Sequence, residues 1–346
     1  MLRGGIIGFG RMGITHFAIL NSRPDVEITA ICDTHSFVRR NIARHLHVTA
    51  YSDHEKMLRD ADLDFVVVAT PTAMHKAAAC CALERGLHAF VEKPLTLNPD
   101  DSHELLAMVG RSACVNQVGY VLRFSDVFMQ VKRLLDARAI GDLVSYKMEM
   151  RGPTVLGDTR GSWRSQGDAG GGCLYDFASH AVDLVNYLVG VPERVVGAVL
   201  RPVYSRQVED ALCATFLYAG NLWGNLMVNW SDPSCRKPSY RFEALGRNGK
   251  IIADLHAYRA FFRGPPDIDG LTEGWNQRHI TDFAAPIRFY LRGFEYTRQL
   301  DYFIDCIEGR ASPGVSSFAT AAETDTVIAR IRASAAQEKR SERWIA

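Results

Sequence analysis

Near its start the chain runs Gly8-Phe9-Gly10-Arg11-Met12-Gly13. The apolar run Gly5-Ile6-Ile7 precedes it, and Ile14 to Leu20 follows and reads as a helix. Strand, glycine turn and helix together form the dinucleotide-binding fingerprint G-x-G-x-x-G. In that pattern Gly8 makes the tight turn, Gly10 lets the backbone approach a pyrophosphate, and Gly13 lets the helix lie close on the strand. Phe9, Arg11 and Met12 fill the same turn and are expected to line the cofactor, where the helix N-terminus offers N–H groups and a positive dipole end to phosphates. A second β-branched run, Val26 to Cys32, ends in Asp33, twenty positions after Gly13. An acid at that spacing takes the ribose hydroxyls of NAD. A glycine turn in a flavodoxin-like fold without cofactor is the competing reading, and the strand, turn, helix, strand and acid in register count against it.

The pattern continues. Phe37 to Leu46 reads as a helix, and Ser52 with Glu55 three residues on reads as a capping box for the next. Asp64 to Val68 is a continuous apolar run, as in a parallel strand covered on both faces. It stops at Ala69-Thr70-Pro71-Thr72, a strand-to-helix loop, and the helix from about Ala73 closes at Gly86. His88 to Val91 is the next strand, ending in Glu92-Lys93-Pro94; Asn98 caps a helix through Val109, and Ala113 to Val118 is a further strand. Strands alternating with helices imply a parallel doubly wound sheet, with ligands at the carboxyl ends of its strands. The fingerprint turn, Asp33, Thr70-Pro71 and Glu92-Lys93-Pro94 all fall at that edge.

After about Val121 the grammar changes. A helix over Phe124 to Ala137 is followed by the alternating run Leu143 to Met150, and later by Arg194 to Leu200, Ala211 to Tyr218, Leu222 to Trp230, Ser239 to Leu245 and Ile251 to Leu255. Strands in succession with short turns imply antiparallel pairing. The fold class is therefore α/β: an N-terminal Rossmann sheet over 1–121, then an α+β domain over 122–346 with an open, mostly antiparallel sheet. An open sheet with an apolar face needs cover, and a second subunit supplies it, so a homodimer or homotetramer is expected. Leu255 to Tyr290 reads as irregular, a lid or substrate wall. Phe294 to Glu308 and Phe318 to Ala335 read as helices.

Composition narrows the function. The formal net charge of +1 gives no basic stripe for nucleic acid and no reason to expect a membrane surface. The eight cysteines are scattered, without C-x-x-C or Cys/His metal spacing, so no metal site is expected and the compartment reads as reducing. No leader pattern opens the chain, and no apolar run reaches the length of a membrane span. A cytoplasmic protein is expected.

Candidates for chemistry follow Gly170-Gly171-Gly172, in Leu174-Tyr175-Asp176-Phe177-Ala178-Ser179-His180-Ala181-Val182-Asp183. On a helix, Phe177, Ala181, Leu184 and Leu188 make an apolar stripe, and Asp176, His180 and Asp183 make a second one. Asp176 and His180 lie one turn apart, where a carboxylate can fix the imidazole's tautomer and raise its basicity. The glycines would let the chain approach a ligand. A first-turn acid and a surface histidine are the plain alternatives on this segment alone.

The set Gly8 to Gly13, Thr70-Pro71-x-x-x-His75, Glu92-Lys93-Pro94, and Gly170-Gly171-Gly172 with Asp176-x-x-x-His180-x-x-Asp183 resembles the Gfo/Idh/MocA oxidoreductase family in order and spacing, over nearly the whole chain. The resemblance implies NAD(P)-dependent oxidation or reduction at a carbinol carbon of a sugar, cyclitol or nucleotide-sugar. It implies that Lys93 is the catalytic lysine, that Asp176 and His180 are the acid–histidine pair, and that Thr70, Pro71, His75 and Glu92 lie at the cofactor. His180 would take the hydroxyl proton, oriented by Asp176, while Lys93 stabilises the developing alkoxide; the two come from different domains. Tyr120, Arg123, Trp163, Arg164, Asp183 and Trp275 are candidate substrate contacts, with Asn276 and Arg292 beside them. Asp33 would repel a 2′-phosphate and so favours NAD; Arg39 and Arg40 leave NADP possible. Two other functions fit the same motifs: bond cleavage through a transient oxidation, and a non-catalytic dinucleotide-binding regulator.

Overall fold

A computed structural model of the chain describes residues 1–157 and 162–342. Two compact units emerge: Met1–Val121 with Ile287–Asp325, and Leu122–Pro286 with the chain from Thr326 onward.

The first unit alternates β1 (Leu2–Ile7), α1 (Arg11–Leu20), β2 (Val26–Cys32), α2 (Ser36–His45), β3 (Thr49–Tyr51), α3 (His54–Asp60), β4 (Phe65–Val68), α4 (His75–Glu84), β5 (His88–Val91), α5 (Pro99–Val109) and β6 (Asn116–Val118). Its strands pair in parallel in the order β3-β2-β1-β4-β5-β6. That order is the doubly wound Rossmann sheet, with its switch point beside β1. Alternate residues feed two cores. Ile7, Val66, Val68, Ala89 and Val91 pack on one face, and Ile6, Phe65, Val67 and Phe90 on the other. Cover on both faces is why these strands read as unbroken apolar runs.

Local caps explain the helix starts. Asn98 Oδ1 accepts from the Asp100 N–H at 3.2 Å, with Pro99 in the first turn. At α3 the expected cap, Ser52, is displaced by its neighbour: Asp53 Oδ1 accepts from Lys56 N–H at 2.7 Å. A carboxylate there answers both the orphan donor and the dipole.

In the second unit α6 (Asp126–Asp136) leads into β7 (Leu143–Arg151), and α7 (Ser179–Leu188) into β8 (Arg194–Arg201), β9 (Ala211–Leu217), β10 (Trp223–Asn229), β11 (Ser239–Gly246), β12 (Gly249–Ala253), β13 (Ala257–Phe262) and β14 (Gly274–His279). The sheet order is β14-β13-β12-β11-β7-β10-β9-β8, antiparallel except where β10 runs parallel to β7. On β7, Tyr146, Met148 and Met150 point into the core while Lys147 and Arg151 are exposed. The expected irregular stretch over 255–290 is corrected: it contains β13 and β14, which pair from Ala257 with His279 to Phe262 with Gly274. The polar alternation of Gly274–His279 concealed a strand that is solvated along one side.

Helices α8 (Phe294–Ile307) and α9 (Phe318–Glu342) follow. The expected 122–346 domain included 287–325, whereas this stretch groups with the first unit. Leu300, Phe303 and Ile304 of α8 are fully buried against the face of the parallel sheet that carries Phe65 and Phe90. Phe303 meets both rings edge-on at 5.8 Å.

Candidate active site

The fingerprint turn has the geometry its glycines predict. Gly8 sits at φ +91°, and a Cβ there would lie 2.7 Å from the Ala69 carbonyl oxygen. A Cβ on Gly13 would fall 2.0 Å from the Gly8 carbonyl oxygen, so only glycine lets α1 pack this close. Gly10 differs: a Cβ there would meet nothing within 4 Å. Gly10 is also the N-cap of α1, and no side chain caps that first turn. Asp33 closes the loop from β2. Its Oδ2 accepts from Phe9 N–H at 2.9 Å and its Oδ1 from His35 N–H at 2.8 Å. Thr70 Oγ1 is buried with no partner among the described residues. A cradle open above Gly10, an uncapped helix start, an acid beside it and an orphaned hydroxyl fit a dinucleotide. Arg39 donates to the carbonyls of Asp33 and Thr34 at 2.8 and 2.7 Å, and Arg40 is exposed.

Two residues expected at the cofactor turn inward. His75 is buried, with Nδ1 2.9 Å from the Pro94 carbonyl oxygen and Nε2 3.0 Å from that of Thr70. Burial pushes its pKa down, against the pull of the two carbonyls. It ties the Thr70 loop to the Glu92-Lys93-Pro94 segment. Glu92 is also buried, and its Oε1 accepts from His16 Nε2 at 2.6 Å. Burial pushes the Glu92 carboxyl up, but the His16 hydrogen bond and the nearby Lys93 charge outweigh it and hold the group below the usual carboxylate range. His16 is fully buried on α1 and carries no sequence motif signal of its own. Lys93 is half-buried at the end of β5, and its N–H donates to Glu92 Oε2 at 3.2 Å.

Tyr120, expected as a substrate contact, is 1% exposed and packs in the apolar core of the first unit. Tyr is apolar enough over most of its surface to be read either way from sequence.

In the second unit the glycine run serves the chain itself. A Cβ on Gly171 would lie 2.4 Å from the Arg164 carbonyl oxygen, and one on Gly172, at φ +101°, 2.4 Å from Glu209 Oε1. Close approach to backbone and to Glu209 is what these two positions require. Leu174–Ala178 is a π-helical turn that leads into α7. Such turns recur at functional sites. Glu209 accepts from Leu174 N–H at 2.8 Å at its start, and burial raises its carboxyl above the ordinary range. Phe177, Ala181, Leu184 and Leu188 are buried as the helical stripe predicts.

Asp176 and His180 are both half-buried on this segment. Asp176 Oδ2 accepts from Arg164 Nε at 2.8 Å, and the Arg164 guanidinium lies 4.7 Å over the Trp163 ring. Arg164 therefore holds the carboxylate, a role no spacing announced. Asp183 and Arg123 bind each other: both carboxylate oxygens accept, from Nε at 2.9 Å and Nη2 at 2.8 Å, and side chains 1% and 5% exposed leave this pair enclosed in protein. The Arg123 guanidinium also sits 5.4 Å over Tyr187.

Trp275 lies on β14, 57% exposed, against Phe261 and Arg259. Asn276 closes the loop onto Thr272, and Arg292 lies 5.4 Å over the Tyr296 ring. Elsewhere the donor atoms of His54, Glu55 and Cys81 lie within 4.8 Å of one another, a grouping that no linear spacing reveals. Burial and the Glu55 charge push the Cys81 thiol up, which favours the protonated, weakly ligating form. No helix among the described residues is long and apolar enough to cross a membrane.

The first unit is thus a nicotinamide-dinucleotide domain with a lysine at its ligand edge. Residues 2–120 match the GFO_IDH_MocA model, described as an oxidoreductase family with an NAD-binding Rossmann fold, and residues 128–252 match the GFO/IDH/MocA C-terminal domain. An uncharacterized oxidoreductase of Bacillus subtilis, YrbE, is 31% identical over 257 residues, covering 72% of this chain and 73% of its own. The scyllo-inositol 2-dehydrogenase (NAD(+)) of the same organism is 26% identical over 331 residues, covering 91% and 89%. A levoglucosan dehydrogenase solved with NADH and levoglucosan shares the fold at TM-score 0.82 and 23% identity, covering 97% of this chain and 98% of that one. The chain belongs to the Gfo/Idh/MocA family of NAD(P)-dependent oxidoreductases.

Proposed function

We propose that the protein oxidises one carbinol of a ring polyol, a cyclitol or a sugar, with NAD as the preferred cofactor. Lys93 carries the reading: it follows a buried carboxylate at the end of β5, on the edge that holds the glycine cradle. When bound, the nicotinamide accepts the hydride. Lys93 donates to the substrate oxygen and stabilises the negative charge that grows there. His180 takes the hydroxyl proton as general base, and in the reverse direction gives it back. Asp176, fixed by Arg164, orients that imidazole. Asp33 receives the ribose hydroxyls, and its charge disfavours a 2′-phosphate. The Arg123–Asp183 pair braces α7 beneath His180. A similar enzyme acting on scyllo-inositol and a fold neighbour acting on levoglucosan support the substrate class. All eight cysteines are free, which supports a reducing cytoplasmic setting. A homo-oligomer through the outward face of the second sheet completes the reading.

The test supplies scyllo-inositol, myo-inositol, glucose, levoglucosan and a nucleotide-linked sugar with NAD or NADP, and follows reduced nicotinamide. Net NADH that vanishes in Lys93→Ala and His180→Ala is expected. Product without net NADH would replace dehydrogenation by bond cleavage through transient oxidation; full turnover in either variant would overturn the catalytic roles of Lys93 and His180.

A further inference from the structure

His16 and Glu92 form a buried pair that hydride transfer at Lys93 and His180 leaves without a task. His16 is fully enclosed on α1, one turn beyond the fingerprint. Its Nε2 donates to Glu92 Oε1 at 2.6 Å, and its ring meets Phe90 edge-on at 5.2 Å. The other carboxylate oxygen, Oε2, accepts the Lys93 N–H at 3.2 Å. Glu92 is walled in further: a Cβ on Gly119 would touch Oε2 at 3.1 Å. One carboxylate therefore links the cofactor helix to the backbone of Lys93.

We propose that His16 is a positioning residue for Lys93, acting through Glu92, so that the helix that cradles the dinucleotide also sets the lysine at the end of β5. The inference rests on Lys93 being the catalytic lysine. A buried carboxylate is costly unless hydrogen-bonded. With His16 in place the group stays ionised, accepts from the Lys93 backbone and keeps a negative charge near the ammonium. Among the described residues, His75 and Tyr296 also feel the Glu92 charge. Neither can replace His16: His75 is engaged by two carbonyls, and burial raises the Tyr296 phenol. Without the His16 donor, desolvation, the largest influence on Glu92, favours its neutral form, and Lys93 loses both an anchor and a counter-charge.

The decisive comparison is His16→Leu against His16→Gln, whose amide nitrogen reaches the Nε2 position. Lys93 acylation by acetic anhydride is read by mass spectrometry and normalised to the exposed Lys56, Lys147 and Lys237. In His16→Leu the Lys93 amine should acylate several-fold faster, as it should in Glu92→Gln, and the double variant should add nothing further. His16→Gln should restore the slow rate. NADH affinity should stay near wild type in all of them, while kcat with scyllo-inositol, or with whichever polyol proves active, falls by about 10²-fold in His16→Leu and recovers in His16→Gln. Unchanged Lys93 acylation in a folded His16→Leu, or loss of NADH binding in step with kcat, overturns the inference. If His16→Leu does not fold, Glu92→Gln decides by the same acylation rate. Full turnover in Lys93→Met would instead sink the catalytic assignment, a result distinct from failure of the positioning.

Discussion

Two glycines three positions apart make opposite demands on the fingerprint turn. Gly13 is required by the protein, since a methyl group there would meet the Gly8 carbonyl oxygen at 2.0 Å. Gly10 is not required by the packing, since a methyl group there meets nothing. Gly13→Ala should cost roughly 1–3 kcal/mol of stability through overpacking, visible as a lower Tm without any ligand. Gly10→Ala should unfold like wild type yet bind NADH at least about tenfold more weakly, ~1.4 kcal/mol, by fluorescence titration. Equal NADH affinity in Gly10→Ala would show that the cradle is not where the pyrophosphate lies. The same distinction between a side chain's own fold and its ligand governs Asp183. Removing its carboxylate strands a buried guanidinium, so Asp183→Ala should lose roughly 3–5 kcal/mol, and Arg123→Met with Asp183→Leu should recover much of it. Chemical denaturation of the two variants decides whether the pair braces the fold.

At the scale of elements, the turn before α7 is where local chemistry departs from the regular pattern. Glu209 caps that π turn through Leu174 while burial raises its carboxyl. A folded-state value above the unfolded one favours folding fully below the ordinary carboxylate range, and that gain is lost as pH rises through the raised value. Glu209→Gln keeps an acceptor for the Leu174 N–H and cannot ionise. It should be at least as stable as wild type at neutral pH, and this part of the wild-type decline with rising pH should disappear from its urea midpoints. A less stable variant with an unchanged pH slope would give the cap, not the charge, the larger role. Regular elements were legible because period and punctuation are local: strands β1, β2, β4, β5 and β6 and the cap at Asn98 needed only neighbours in sequence. What escaped depends on distant partners. His16 looks like any helical histidine until Glu92 is brought beneath it, Arg164 like a surface arginine until Asp176 is set beside it, and the docking of the legible helix α8 on the parallel sheet is invisible until Phe65 and Phe90 meet Phe303. The strand Gly274–His279 escaped because a polar edge strand carries no apolar run to see.

At the scale of the whole molecule, the second sheet leaves a row of large side chains turned away from its helices. Cross-strand register runs from Trp223 through Ser145, Leu245, Lys250 and Phe261 to Trp275. Trp223 is 41% exposed, Leu245 46% and Trp275 57%, and Met227, four residues along β10 on the same face, 48%. Apolar residues scattered singly need no partner, but large exposed side chains on β10, β11, β13 and β14, interrupted by Ser145 of β7 and Lys250 of β12, gather on one face of the kind that marks an interface. The charges on this face are paired: Glu243 binds Arg241 and Lys250, and Lys250 itself stands in the row between Leu245 and Phe261. A two-fold axis would set such a row against itself, the self-complementary arrangement of an isologous dimer. Met227→Glu with Trp275→Glu should therefore give monomers in sedimentation velocity at concentrations where the wild type sediments as a dimer or tetramer. Both positions point outward from the sheet, so the variant should keep the wild-type circular dichroism and bind NADH normally. A wild type that sediments as a monomer, or a charged variant that stays assembled, would assign the exposed row to some other surface role and the oligomer to another face.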